Sequence, residues 1–369
     1  MRTVIVIGAL LVMISAACAV GDEPPGEVTM PTDDGGESTL TGADEAEETG
    51  DEQAAAGETP ARADEGEDTG DTAVAAGGDP GDCAADGEGS IDFELDAAGH
   101  TYQVRMYRPS LVQGRAPVVI NWHGLGSTGV QQALLTSYEQ LARSEGFIVV
   151  HPTGTSGGGG ARSWELDQFD EPERDDVAMA GALIDRLVAE YCVDERRVYS
   201  TGMSNGGFFT SRLVCEMSDR IAAAVSVAGV SHYEDCRPMR PVPFLAYHGT
   251  ADEIVPYDGG PSPLATAGSS PATVEFFNQV MPDEFAEFAA DFGCEPRPII
   301  AEVTDEVVRH DYQSCDDDVE LAFVEIVEGG HTWPGSLLAV LAGDALGRTT
   351  TDVSATLDGW RFMSRYALE

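Results

Sequence analysis

Gly202-Met203-Ser204-Asn205-Gly206 is the stretch that decides how this chain reads. It follows the short apolar β-type run Arg197-Val198-Tyr199-Ser200-Thr201 and opens Gly207-Phe208-Phe209-Thr210-Ser211-Arg212-Leu213-Val214, which has helical character. A serine on a sharp strand-to-helix turn is held out at the top of a sheet, where its hydroxyl can attack a carbonyl. Small glycines at either end let the backbone make such a turn. The bare pattern is weak, since a chain with Gly at 42 of 369 residues supplies roughly 0.3 matches by chance. A second match, Gly154-Thr155-Ser156-Gly157-Gly158, also follows an apolar run, Phe147-Ile148-Val149-Val150. It leads into Gly159 and Gly160, which cannot start a stable helix, and reads as a flexible loop.

Around the stretch around Ser204, strands alternate with helices. Tyr102–Tyr107 alternates as an early antiparallel strand, and Pro117–Trp122 is a nearly continuous apolar run, as expected of a strand buried on both faces. Gln131–Ser144 reads as a helix and Phe147–Val150 as the next strand. Asp175–Tyr191 reads as a strong helix, capped by Asp175 or Asp176, with Val177, Gly181, Ile184, Val188 and Tyr191 along one face. Further strands fall at Ala222–Val227, Val242–Tyr247 and Glu320–Val327, with a closing helix at Thr350–Tyr366. Such alternation predicts a mainly parallel α/β sheet with helices on both faces. The Gly-, Pro-, Ser- and Ala-rich stretch Gly259–Ser270 reads as a loop beside the site.

A serine hydroxyl is a poor nucleophile at neutral pH unless a base lies within hydrogen-bond reach and a third group orients that base. Two segments after Ser204 suit these roles, in the order acid then histidine. His248-Gly249-Thr250-Ala251-Asp252 follows one strand and Gly329-Gly330-His331-Thr332-Trp333-Pro334 follows another. Both lie at carboxyl ends of strands, where open α/β sheets form their ligand sites. Asp252 is assigned as the orienting acid, with Asp258 in reserve, and His331 as the base. His232 and His310 come in the right order but follow no clear strand in a glycine turn, and His248 reads as too near Asp252 in sequence to be oriented by it. The oxyanion donors are read as the backbone N–H groups of Asn205 and of Leu125, the latter in the turn His123-Gly124-Leu125-Gly126-Ser127. His123 reads as a support of that turn. Trp164 and Trp333 are read as walls of an acyl or alcohol pocket, with core packing as the alternative.

Arginine supplies all 20 basic residues, against 65 acidic ones, for a net charge of −45. That balance argues against nucleic acid and anionic membrane surfaces as partners. The absence of lysine reads first as coding bias, with adaptation to salt as the second reading. Arg2 followed by the apolar run Val4–Ile14 and the small residues Ser15-Ala16-Ala17 reads as a secretion signal too short to span a bilayer. The Ala-Ala-Cys end resembles a bacterial lipoprotein processing site, which implies a lipid on Cys18 and, with Ala19 following, an outer-membrane location. Cleavage of an ordinary signal peptide nearby is the alternative. From Ala19 to Asp82 the chain holds about twenty acidic residues and only Arg62 as a base, without aromatics, and is expected to be a disordered acidic tether. Residues 1–18 thus read as a leader, 19–82 as a linker and 83–369 as one folded domain. Setting Cys18 aside, Cys83, Cys192, Cys215, Cys236, Cys294 and Cys315 form an even set that fits disulfides in an exported domain, with Cys294 and Cys315 flanking a hairpin as the best pair. No C-x-x-C or H-x-x-x-H spacing points to a metal, and the chemistry calls for no cofactor. A monomer acting on a small or oligomeric ester is the expectation.

Several of these motifs, taken together and in this order, are similar to those of the poly(3-hydroxybutyrate) depolymerase and feruloyl esterase family. They are Asp175-Asp176-Val177, Asp194–Tyr199, Gly202–Gly207, His248–Asp252 with Val255-Pro256-Tyr257, and Gly329–Gly335. The resemblance covers about Ile91 to the carboxyl end. It implies a secreted esterase of α/β-hydrolase fold, with Ser204, Asp252 and His331 as its triad. Some members depolymerise polyesters and others release ferulate from plant cell-wall xylan. Members acting on insoluble polymer often carry a separate binding domain, and none is read here, which argues against crystalline polyester. The expected substrate is a polyhydroxybutyrate-type oligoester, with feruloyl esters of xylan as the alternative. A serine peptidase and a non-catalytic binding protein on the same fold are the further rivals.

Overall fold

Strands that are apolar along their whole length need cover on both sides, and the central strands here are of that kind. A computed structural model describes residues 88–369 except 157–160, 167–173, 234–235, 265–275 and 344–345. The expected leader and acidic linker lie outside the described residues, as do residues 265–270 of the Gly259–Ser270 loop. Ten strands form one sheet in the order β1-β2-β4-β3-β5-β6-β7-β10-β9-β8. They are β1 (Gly89–Ala97), β2 (His100–Arg108), β3 (Ala116–Trp122), β4 (Ile148–Thr153), β5 (Val193–Met203), β6 (Ala223–Val227), β7 (Phe244–Gly249), β8 (Ile299–Thr304), β9 (Val307–Tyr312) and β10 (Leu321–Ile326). The run β4-β3-β5-β6-β7-β10 is parallel throughout. Antiparallel strands close it at each end, β2 and β1 beyond β4, and β9 and β8 beyond β10. The mainly parallel α/β sheet is therefore as the sequence predicts.

Successive side chains of a strand point to opposite faces, and each central strand feeds two cores. Val118, Ile120 and Trp122 of β3 and Phe244 and Ala246 of β7 enter one core. That face is covered by α3 (Asp176–Glu190), α4 (Asn205–Glu216) and α5 (Met281–Asp291), through Leu183, Leu187, Phe209, Leu213, Phe285 and Phe288. Val119, Leu245 and Tyr247 enter the other, with Tyr138 and Ala142 of α2 (Tyr138–Glu145) and Trp360 and Met363 of α7 (Ala355–Met363). Each fully buried side chain of this size contributes about 1.5–3 kcal/mol.

The helical reading needs three corrections. The single helix expected at Gln131–Ser144 is two, α1 (Gly129–Thr136) and α2, because Ser137 takes a left-handed conformation (φ 57°) between them. Asp175 does cap α3, accepting from Ala178 N–H, but the buried face is Met179, Ala180, Leu183, Ile184 and Leu187 rather than the stripe through Val177, Gly181 and Val188. Helices α5 and α6 (Leu337–Ala342) and the edge strand β1 were not read from the sequence. The hairpin between Cys294 and Cys315 is β8–β9, and the two cysteines are bonded, as are Cys215 and Cys236.

Candidate active site

Ser204 ends β5 and precedes α4 with φ 57° and ψ −121°, a conformation that costs a non-glycine residue about 1–3 kcal/mol. The surrounding structure holds it there. Ser204 N–H donates to Val227 O (2.9 Å), and Phe208 N–H donates to Ser204 O (2.9 Å). The flanking glycines are obligatory for close approach: a Cβ on Gly202 would lie 2.3 Å from Gly206 O, and one on Gly206 would lie 2.3 Å from Trp122 O. The hydroxyl makes no helix-capping bond, although Ser204 occupies the cap position.

β7 and β10 are neighbours in parallel register, with His248 opposite Glu325 and Gly249 opposite Ile326, so their carboxyl ends are level. The turns that follow are laced together. Thr250 N–H donates to Ile326 O (2.9 Å), Ala251 N–H to Gly329 O (2.9 Å) and Glu328 N–H to Thr250 Oγ1 (2.8 Å). This draws the turn after β10 over the end of β7. His331 Nδ1 donates to Asp252 Oδ2 at 2.8 Å. Because the carboxylate oxygen can only accept, this bond leaves His331 Nε2 as the acceptor. The other carboxylate oxygen, Asp252 Oδ1, accepts from Ile254 N–H and Val255 N–H, both at 2.8 Å. Burial would raise the Asp252 pKa, but the charge and hydrogen bond of His331, with His248 and the Val255 amide, outweigh it and hold the pKa below the ordinary value. The carboxylate therefore stays ionised beside the imidazole.

The turn after β3 lies against Ser204: a Cβ on Gly124 would be 3.3 Å from Ser204 Cβ and 3.9 Å from its Oγ. His123 braces that turn. Its Nδ1 donates to Gly124 O (2.7 Å) and its Nε2 accepts from Gly154 N–H (2.9 Å), and burial pushes its pKa down to about 4. It is neutral and fully engaged, as a support of the turn should be. Leu125 is 47% exposed on the same turn. Asn205 is the first residue of α4, where a backbone N–H has no partner inside the helix. Its side chain does something the sequence reading missed. Asn205 Oδ1 accepts from Trp164 N–H (2.6 Å) while its Nδ2 donates to Trp164 O (3.1 Å), clamping the segment 41 residues upstream. An Asn in the first turn of a helix, where it is a poor helix former, was the available signal.

Other expectations are corrected. Trp164 and Trp333 are 2% and 1% exposed and lie in the core rather than on an open wall. Trp164 packs on Trp122 and Phe209 and donates to His123 O, and Trp333 donates to Thr356 Oγ1. His248 lies close to Asp252, with Nε2 at 3.4 Å from Oδ2, but its hydrogen bond goes to Val255 O while Asp252 takes its own from His331. The reserve Asp258 is exposed, His232 pairs with Asp291 and His310 with Glu325. Among the described residues one group has metal-like spacing, His232, Cys236 and Asp291, but Cys236 is bonded to Cys215.

Comparison with known proteins places esterases among the relatives of this chain. Residues 135–237 match the Prolyl oligopeptidase family. The chain is 29% identical over 254 residues to a protein of Nocardia uniformis subsp. tsuyamanensis named "Putative esterase NocK", covering 66% of this chain and 73% of that one. It is 32% identical over 154 residues to a bifunctional acetylxylan esterase/xylanase of Neocallimastix patriciarum, and 29% identical over 221 residues to feruloyl esterase B of Piromyces equi. The chain is thus similar to esterases, and its mainly parallel sheet with helices on both faces is the α/β-hydrolase fold. Coverage of the relatives is uneven: the match spans 42% of this chain and 22% of the Neocallimastix protein, and 58% of this chain and 39% of the Piromyces one. The family-model match, residues 135–237, includes the strand end that precedes Ser204.

Proposed function

We propose that this chain is a serine carboxylesterase acting on acyl esters of the kind found in plant cell-wall polysaccharide. The observation that carries the reading is the buried Asp252–His331 hydrogen bond at the ends of two adjacent parallel strands, in the same sheet as the strained Ser204 turn. Ser204 Oγ attacks the ester carbonyl as His331 Nε2 takes its proton. Asp252 stabilises the imidazolium and stays ionised. The backbone N–H groups of Asn205 and Leu125 receive the oxyanion, each worth roughly 10²–10³ in rate. His331 returns the proton to the departing alcohol, and water then hydrolyses the acyl-enzyme through the same base. The disulfides fit an exported enzyme, and a lipid on Cys18 would tether it.

The names of the relatives support feruloyl and acetyl esters ahead of the hydroxybutyrate oligomers first expected. The match to the Prolyl oligopeptidase family keeps a peptidase as the second reading, since one triad serves both chemistries. Initial rates on methyl ferulate, acetylated xylan, a hydroxybutyrate trimer and a peptide anilide, each run beside Ser204→Ala, separate them. Cleavage of the first two, with the variant down by about 10⁴–10⁶ in turnover, is the expected result. Preferential cleavage of the trimer or the peptide would overturn the substrate assignment, and a variant retaining a tenth of the activity would overturn the nucleophile.

A further inference from the structure

Asp252 faces two imidazoles. His331 Nδ1 lies 2.8 Å from its Oδ2, and His248 Nε2 lies 3.4 Å from the same oxygen. His248 is fixed by the fold: it is 1% exposed at the penultimate position of β7, and its Nε2 lies 2.9 Å from Val255 O. The tautomer follows from the partners. A backbone carbonyl can only accept, so Nε2 must carry the proton and donate it to Val255 O, while Asp252 Oδ2, 3.4 Å away, is a charge contact and not a hydrogen bond. The opposite nitrogen, His248 Nδ1, is buried with no hydrogen-bond partner among the described residues. Protonating it would bury an unpaired N–H, which together with desolvation keeps the ring neutral, and burial is the first cause of its lowered pKa.

We propose that His248 is a positioning residue of the triad, its Nε2–H bracing the Asp252 turn through Val255 O with its positive edge 3.4 Å from the carboxylate that His331 binds. This rests on the triad reading above. The His248 N–H, its positive edge 3.4 Å from Oδ2, offsets part of the negative charge that would otherwise act on His331 alone. It also presents its positive end to any imidazolium formed there. Removing the donor makes protonated His331 more favourable. His331 works as a base only when neutral, so the acid limb of the kcat/KM profile moves to higher pH. The other groups facing this assembly are Tyr257, whose ring centre is 6.0 Å from that of His248, and Glu325 of β10, which accepts from the Tyr257 hydroxyl (3.1 Å) and lies 3.3 Å from His310 Nε2. Glu325 is occupied by these partners rather than by the triad.

The test uses two amides that differ in reach. In His248→Gln the amide nitrogen falls near the former Nε2 and keeps a donor. In His248→Asn it stops near the former Nδ1, and the bond to Val255 O is lost together with the N–H that faces Asp252. Rates are normalised to the sites titrated by a fluorophosphonate, so incomplete folding does not enter. His248→Asn should lower kcat/KM about tenfold or more and move the acid limb up by about half a pH unit, and His248→Gln should restore both to near wild type. Equal losses in the two variants with an unmoved limb would mean packing alone and overturn the inference, as would two variants indistinguishable from wild type. Ring ¹⁵N spectra of the wild-type protein test it without a variant: His248 should stay in the Nε2–H form across the active pH range, and an Nδ1–H form or a titration in that range would overturn it. Full activity in Ser204→Ala would instead sink the triad reading, a separate failure.

Discussion

Asn205 serves the site twice, its backbone N–H as an oxyanion donor in the proposed mechanism and its side chain as a two-bond clamp on Trp164. Asn205→Ala keeps the first and deletes the second. Displacing reacting groups by about 1 Å can cost 10²-fold, so kcat/KM should fall by about that factor while fluorophosphonate still labels the protein. A rate within twofold of wild type would show that the clamp does not position the site. The two roles differ in how they could be read. The strand-end positions of Ser204, Asp252 and His331 were legible because each follows a strand in a glycine-containing turn, a local signal in parallel sheets. The clamp was not, because its partner is 41 residues away and nothing in the sequence says which loop folds against α4. His248 reads as too near Asp252 in sequence to be its partner, and Asp252 does bond His331 instead; the bond from His248 Nε2 to Val255 O depends on the turn and has no local signal.

Among the elements, the central strands and α3 were readable because a buried parallel strand is apolar throughout and a capped helix announces its start. The break between α1 and α2 was not, since Ser137 adopts a left-handed conformation (φ 57°) without a glycine to mark it. The buried stripe of α3 was misplaced because the helix lies between β1 and β5, and the sheet selects Leu183 and Leu187 over equally apolar neighbours. The β8–β9 hairpin continues the sheet beyond β10, the strand that leads to His331, and the Cys294–Cys315 bond closes it over a separation of 21 residues. A loop of that size corresponds to about 3 kcal/mol of chain entropy. Replacing both cysteines by serine should lower the unfolding free energy by about that amount in urea titrations and leave kcat/KM of the folded enzyme within a few-fold. Loss of the hydrolytic site itself would mean that the hairpin shapes His331 more directly than the sheet order suggests.

Across the whole molecule, three buried histidines make stability depend on pH. Burial drives the pKa of His123 down to about 4 and of His151 to about 3, and lowers that of His248. All three fall below the unfolded value of about 6.5, so the unfolded chain takes up protons first as pH falls. Stability is thus full above about pH 6.5 and declines towards the folded values, by about 1.4 kcal/mol per pH unit for each ring. Asp252, whose folded pKa is lowered, loses its contribution only below its ordinary range and stays out of this window. In high salt, where repulsion from the net charge of −45 is screened, urea unfolding at pH 6.5 and 4.5 should differ by about 3 kcal/mol or more, and a flat profile would contradict the buried neutral rings. The central claim is that Ser204 is the nucleophile, and covalent labelling tests it most directly. After reaction of the native protein with a fluorophosphonate, peptide mass mapping should place one phosphonyl group on Ser204, with labelling abolished in Ser204→Ala. An adduct on another residue, or none on the active enzyme, would contradict the account.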